Sequence, residues 1–176
     1  MPRGIDTQAS TITLRTRAKG LLGKLAHDLE IRVRDFDGEV TVDGEAWTAT
    51  LTIAVADLEV VGALRGNKVD RAVLSSGDRQ EIERKIRQEV LVGPKVAITA
   101  SGSRRSRGEA RIAAPKGEQR VFVDIVAEDR PGGEISCRGD FLLSLKALGV
   151  AEIKGPLGAF KVADAVEASF WIMVQP

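Results

Sequence analysis

Apolar and polar residues alternate along most of this chain with a period of two. In "STITLRTR", Ile12, Leu14 and Thr16 take one side and Thr13, Arg15 and Arg17 the other. "HDLEIRV" sets His27, Leu29, Ile31 and Val33 against Asp28, Glu30 and Arg32. "WTATLTIAV" sets Trp47, Ala49, Leu51, Ile53 and Val55 against Thr48, Thr50 and Thr52. The beat returns at Val40 and Val42, at Val96, Ile98 and Ala100, at Ala110 and Ile112, and at Val121, Val123 and Ile125. It closes with Ile135, Cys137, Phe141, Leu143 and Leu145, then with Val166, Ala168, Phe170, Ile172 and Val174. A strand sends successive side chains to opposite faces, so each segment predicts a strand with one apolar face. Leu51, Ile53 and Val55 are thus expected to point inward, and Thr48, Thr50 and Thr52 outward. Roughly eight or nine such strands, several spaced as hairpins, predict an antiparallel all-β sandwich or barrel. Turn residues fall at Asp37-Gly38, Asp43-Gly44, "GSRRSRG", Lys116-Gly117 and Pro131-Gly132-Gly133.

One segment changes period. In "SGDRQEIERKIRQEVLVGP", Ile82, Ile86 and Val90 recur every four residues, which is a helical stripe. The pattern predicts one amphipathic helix over residues 78 to 91. Asp78 is its expected N-cap, with Glu81 as the other half of a capping box. Glu81–Lys85 and Glu83–Arg87 have the spacing of helical ion pairs, and Gly93-Pro94 stops the run. No repeat, low-complexity stretch or long linker divides the chain, so a single domain is expected.

Composition narrows the function. A chain of 176 residues can bury a substantial core without staples. Its net charge of +1, with 4% aromatics and no tyrosine, lacks the basic field and stacking rings of a nucleic-acid binder. The lone cysteine, Cys137, cannot form an internal disulfide. The opening "MPRGIDTQAS" has no apolar run of signal-peptide length, and no segment approaches a membrane span. The cytoplasm is therefore the expected location, without stable membrane insertion.

Catalytic chemistry is thin. One histidine and one cysteine lie far apart without a supporting motif, and no His/Cys/carboxylate cluster has metal-ligand spacing. "GALRGNK" lacks the spacing of a phosphate loop and reads as a surface turn. "SGSRRSRG" reads as a solvated hairpin tip, with contact to an anionic head group as the alternative. Carboxylates alternate with bases on strand faces, as solvated pairs worth little. No catalytic residue, metal or cofactor is expected.

The order of segments carries a resemblance. "HDLEIRVRDFDGEV", "TATLTIAVADLEV", the helix ending at Gly-Pro, "KVAITASG" and the closing "LSLKALGV…IKGPLGAFKVADAVEASFWI" resemble the YceI-like family of lipocalin-type lipid-binding proteins. The similarity spans roughly residues 9 to 174. It is most specific at "HDLEIRV" and at the Leu-Gly-x-x-Lys-Val-x-Asp-x-Val run beginning at Leu157. The resemblance implies an eight-stranded lipocalin-like barrel with an inserted helix, whose lumen takes an isoprenoid or fatty-acid derivative without catalysis. Where relatives often carry an aromatic beside a proline, this chain has Val92-Gly93-Pro94.

The expected lumen wall comprises His27, Leu29, Ile31, Val33, Leu51, Ile53, Val55, Phe141, Leu143 and Phe170. Inward positions are mostly Leu, Ile, Val, Ala and Thr, which predicts a cavity rather than a plugged core. His27 reads first as a strand-end residue satisfied by backbone or a nearby carboxylate; the alternative is a rim donor to an amphiphile's polar head. Phe141, Phe160, Phe170 and Trp171 read first as core rings, and adjacency puts Phe170 and Trp171 on opposite faces. The expected partner is a long-chain amphiphilic small molecule, with a homodimer left open. Two other classes remain: a solid-core interaction or stress-related domain, and an enzyme using the lumen as its active site.

Overall fold

Nearly every alternating stretch becomes a strand. A computed structural model describes residues 1–20, 26–104 and 106–176. The elements in chain order are β1 (Pro2–Thr16), β2 (Ala18–Lys19), β3 (Asp28–Val33), β4 (Asp37–Asp43), β5 (Ala46–Ala54), β6 (Leu58–Arg65) and β7 (Lys68–Asp70). Then follow α1 (Ser76–Lys85), β8 (Lys95–Ser103), β9 (Gly108–Ala114), β10 (Gly117–Val123), β11 (Val126–Asp129), β12 (Ile135–Ser144), β13 (Lys161–Val162) and β14 (Ala165–Val174). All pairings among the described residues are antiparallel.

The main path runs β10-β9-β8-β5-β4-β1-β14-β12-β11 and curls around one interior. Its backbone ladder does not close completely. β11 continues the line of β10 and pairs with residues 135–138 of β12. Along β10 itself the two edges meet only through side chains, as where the Ser144 amide donates to Gln119 Oε1 at 2.8 Å. The expected antiparallel all-β class is met, but the expected eight-stranded closed barrel is corrected: the path has nine strands, with β3, β6 and β7 branching from it, and it stays open along one seam.

β1 is the corner of the structure. Its first residues pair with β4 (Pro2↔Thr41), and its last pair with β3 (Thr16↔Leu29). The change of partner follows a bulge between Asp6 and Thr11. Asp6 stabilises that bulge by accepting from the amides of Gln8 and Ala9, both at 3.0 Å, and Ser10 Oγ accepts from the Met173 amide at 2.9 Å. A side chain that satisfies backbone donors in this way makes a break in a ladder tolerable. β3 then leads to β6 and β7, which form a wing against which α1 packs.

The helix is displaced from its expected start. Ser75, not Asp78, is the N-cap: its Oγ accepts from the Asp78 amide at 3.1 Å, and Asp78 Oδ2 accepts from the Ser75 amide at 2.9 Å. Asp78 is thus the returning half of a capping box that opens a turn earlier. The α-helix ends at Lys85 and continues as a π-turn over Ile86–Val90. Neither expected ion pair forms. Glu81 binds Arg84 (Nη2–Oε1 2.6 Å), and Glu83 accepts from the Val60 amide at 2.9 Å, tying the helix to β6.

Two further expectations are corrected. Asp37 and Gly38 lie inside β4 rather than in a turn, paired with Thr52 and Leu51 of β5, and a Cβ on Gly38 would stand 2.8 Å from Ile5 Cδ1. That glycine is required by close packing. Glu30 is not a solvated member of a charged face: its side chain is 9% exposed and paired with Arg15 at 2.9 Å. β3 is flanked on both edges there, with Arg15 of β1 opposite Glu30 on one side and Gly62 of β6 on the other.

Several exposed carboxylates are held ionised by local donors. Hydrogen bonds from Ser75 lower the Asp78 pKa. The Lys146 amide and then Ser144 Oγ lower that of Asp164, and Lys161 and then Lys154 lower that of Glu152. A depressed folded-state pKa stabilises above the unfolded value and is lost as pH falls through the folded one. Thermal melts should thus be flat near neutrality and fall below about pH 4. An Asp164→Asn, Glu152→Gln double variant should show a shallower acid decline; an unchanged acid limb would contradict this assignment.

Candidate functional site: an apolar cavity inside the barrel

The inward faces of the strands do not meet. They enclose a cavity of about 640 Å3, within the range of ligand pockets. Side-chain size explains the space. Ala49, Ala100 and Ala110 are direct neighbours across β5, β8 and β9, so three methyl groups form one row of wall. The next row, Leu51–Ile98–Ile112, is branched and fuller. Across the interior run Ile31, Leu14, Ala168 and Phe141, again in direct register. Many of these inward residues remain half-buried rather than buried because they border open volume.

Helix and rings shape the two ends. At one end Ile82 and Ile86 lay the apolar stripe of α1 and its π-turn over the opening, with Val90 beyond them. Facing them are Phe160 and Val162, with Gly155 fitted so closely that a Cβ would lie 2.2 Å from the Phe160 ring. At the other end Trp47 lies flat against Gly102 and Gly108, where a Cβ would approach within 2.7 and 2.8 Å of its ring. Phe141 and Phe170 meet at a centroid distance of 6.4 Å along the middle of the wall.

Polar groups are few and concentrated at the ends. Arg17, His27, Lys85 and Lys154 line the helix end, with Glu89; Arg104 and Glu109 line the other. Arg17 is fully engaged, with Nη1 to Asp28 Oδ2 at 3.2 Å and Nη2 to Glu167 Oε2 at 3.4 Å. Those hydrogen bonds, Glu167 first, raise its pKa further above an already high value. Asp28 also accepts from the Ala18 amide at 2.7 Å, so this network joins the starts of β2 and β3. Cys137 lines the wall, and burial pushes its thiol pKa up, which keeps it neutral and poorly nucleophilic.

The expected wall is largely assembled. His27, Leu29, Ile31, Val33, Leu51, Ile53, Phe141, Leu143 and Phe170 all border the cavity. Val55 does not. It is 2% exposed, but it has left the strand for a 3-10 turn over Val55–Asp57 and packs in the solid core beside the cavity. His27 sits exposed at the rim just before β3 and makes no hydrogen bond among the described residues, so the expected bonded partner is absent there. Asp78 interacts with it through charge alone. Trp171 turns outward, with Arg130 over its ring at 5.8 Å. Of "SGSRRSRG", Arg105 lies outside the described residues; Arg104 pairs with Asp129 and Arg107 with Asp124, so the tip is ion-paired. Not among the expected wall residues were Trp47, Phe160 and the helix stripe. The two inward glycines facing Trp47, at even spacing in β8 and at the start of β9, were the available signal.

No family model matches the chain, and no curated protein matches it in sequence. Solved structures do match in shape. BcnA of Burkholderia cenocepacia superposes with a TM-score of 0.67 at 15% identity, covering 96% of this chain and 98% of that one. A polyisoprenoid binding domain from Saccharophagus degradans, described as implicated in plant cell wall breakdown, gives 0.67 at 8% identity, covering 98% and 97%. A mutant CJ YceI protein gives 0.55 at 8% identity, covering 83% and 84%. These likenesses show the fold: over most of its length this antiparallel chain is similar in architecture to these solved structures, a YceI protein and a polyisoprenoid binding domain among them.

Proposed function

We propose that this protein binds one long-chain amphiphile, an isoprenoid or fatty-acid derivative, in its barrel and carries or stores it without chemical change. The observation that carries this reading is the cavity of about 640 Å3 with a wall almost wholly of aliphatic and aromatic side chains. Such a wall gives about 0.8 kcal/mol for each methylene it removes from water. The polar groups at the ends suit a head group, while the interior offers a neutral thiol and, among the described residues, no paired acid and base. The polyisoprenoid binding domain of the same fold supports the same class of cargo.

A native mass spectrum of freshly purified protein should show the chain with a retained lipid mass. A spectrum of bare protein, together with no uptake of a fluorescent fatty acid, would contradict the reading. Ile31→Gln puts an amide into the apolar wall and should weaken uptake of that probe by well over tenfold. His27→Ala removes at most one rim hydrogen bond and should weaken it by about tenfold or less. Ile31→Gln binding as tightly as the parent would show that β3 does not border the occupied space.

A further inference from the structure

The loop at the helix end of the cavity carries an apolar side chain that touches nothing. Leu157 is 108% exposed, as open to water as a side chain in an extended peptide, and its neighbours Pro156 and Gly158 are exposed as well. It holds φ 55° and ψ 19°, the left-handed region, where it is the only residue other than glycine among those described. That conformation costs a branched side chain about 1–2 kcal/mol. The turn is nonetheless built: the Gly155 amide donates to the Phe160 carbonyl at 2.8 Å and the Gly158 amide to that of Gly155 at 3.0 Å. So a firm turn holds a leucine out into solvent, where it adds nothing to the core.

Beneath this tip lies a short row of positive charge. Lys19 of β2 pairs directly with Lys161 of β13, and Lys161 pairs in turn with Lys154. All three side chains are exposed; Glu152 answers two of them, at 3.0 Å from Lys154 and 2.6 Å from Lys161, and Asp164 interacts with Lys19 through charge, so three lysines outnumber two carboxylates there among the described residues. Lys154, Gly155, Pro156 and Phe160 also border the cavity, so tip, lysines and opening share one end of the molecule.

We infer that this end docks on the surface of an anionic lipid bilayer, with Leu157 entering the head-group boundary and Lys19, Lys154 and Lys161 facing lipid phosphates. An apolar tip above a basic row is the pattern that interfacial binding requires, since each buried apolar group and each lysine adds a modest increment. A protein partner would leave unexplained why the tip stands at the cavity's own opening. The inference rests on the lipid-cargo reading: a long-chain cargo partitions strongly into bilayers and passes most readily from one already in contact.

The test is sedimentation of the full-length protein with vesicles of phosphatidylcholine alone or with added phosphatidylglycerol, alongside uptake of a fluorescent fatty acid from solution. The parent should bind the anionic vesicles, more weakly as salt rises. Leu157→Gly and Leu157→Asn suit the left-handed turn and should melt no lower than the parent, yet lose about tenfold or more of vesicle affinity. Lys154→Gln with Lys161→Gln should also lose about tenfold. Probe uptake from solution should be unchanged in the Leu157 variants. A parent that takes up the probe but ignores both vesicles overturns the docking inference and leaves the cargo reading standing. Vesicle binding without probe uptake removes the cargo reading, while the Leu157 variants still decide the docking. Equal vesicle behaviour in all variants, with Leu157→Gly instead dissociating a dimer, overturns the inference in favour of a second copy of the chain.

Discussion

Ile53→Asp is expected to destabilise the protein by at least about 3–5 kcal/mol, most of the stability of an ordinary domain. Ile53 is 6% exposed and belongs to the main core cluster at the cavity wall. The substitution removes a branched aliphatic chain and leaves a carboxylate beside Leu51 and Val96 on the apolar face of the sheet. Burial should raise the pKa of the new carboxyl, so the variant is least destabilised relative to the parent at acid pH. The deficit should grow as pH rises from the unfolded carboxyl value, about 3.9, to that raised value and level off above it. Thr50→Asp, three residues earlier on the same strand and facing solvent, should cost about 1 kcal/mol or less. Denaturant melts of the two variants across pH provide the check, and equal midpoints would overturn the inward and outward faces of β5.

Ala100→Phe should separate stability from binding in the opposite sense. Ala100 is the middle of the methyl row, with Ala49 on one side and Ala110 on the other. In a close-packed core a ring at such a position would cost about 1–3 kcal/mol in strain. Here it projects into open volume and replaces lost contact, so the melting temperature should hold or rise. The ring then occupies space that a ligand would use. Displacing three methylenes of an alkyl chain forfeits about 2.4 kcal/mol, roughly fiftyfold in affinity. Titration with a fluorescent fatty acid and a thermal melt on the same sample would measure both. A large loss of stability would mean that the interior is filled and that the cavity is not available to a ligand.

Both expectations draw on features of the sequence that differ in how far they could be read. The alternation in β1, β5, β8, β9, β12 and β14 was legible because each of these strands has one face inside and one outside. β6 was not, since "LEVVGALR" is buried on both faces and shows no period. Strands of two to four residues, β2, β7, β11 and β13, were too short to carry a pattern at all. The helical stripe was legible from Ile82, Ile86 and Val90, but its start was not. Ser75 and Asp78 both have capping chemistry, and only the observed bonds show which one receives the first amide.

The sequence by itself determined which faces of the strands turn inward, because a period of two leaves the apolar side chains no other way to leave water together. It also determined that inward positions would be small and aliphatic, and hence poor at filling a barrel. The tertiary structure alone decided what those faces enclose. Register places Ala49, Ala100 and Ala110 in one row, the bulge in β1 hands the sheet from β4 to β3, and the curl sets Trp47 against two glycines far along the chain. It likewise buried Glu30 with Arg15 and removed Val55 from the wall. Each of these depends on which residues become neighbours across strands, and a hydrophobic pattern specifies a face for a side chain without specifying what stands opposite it.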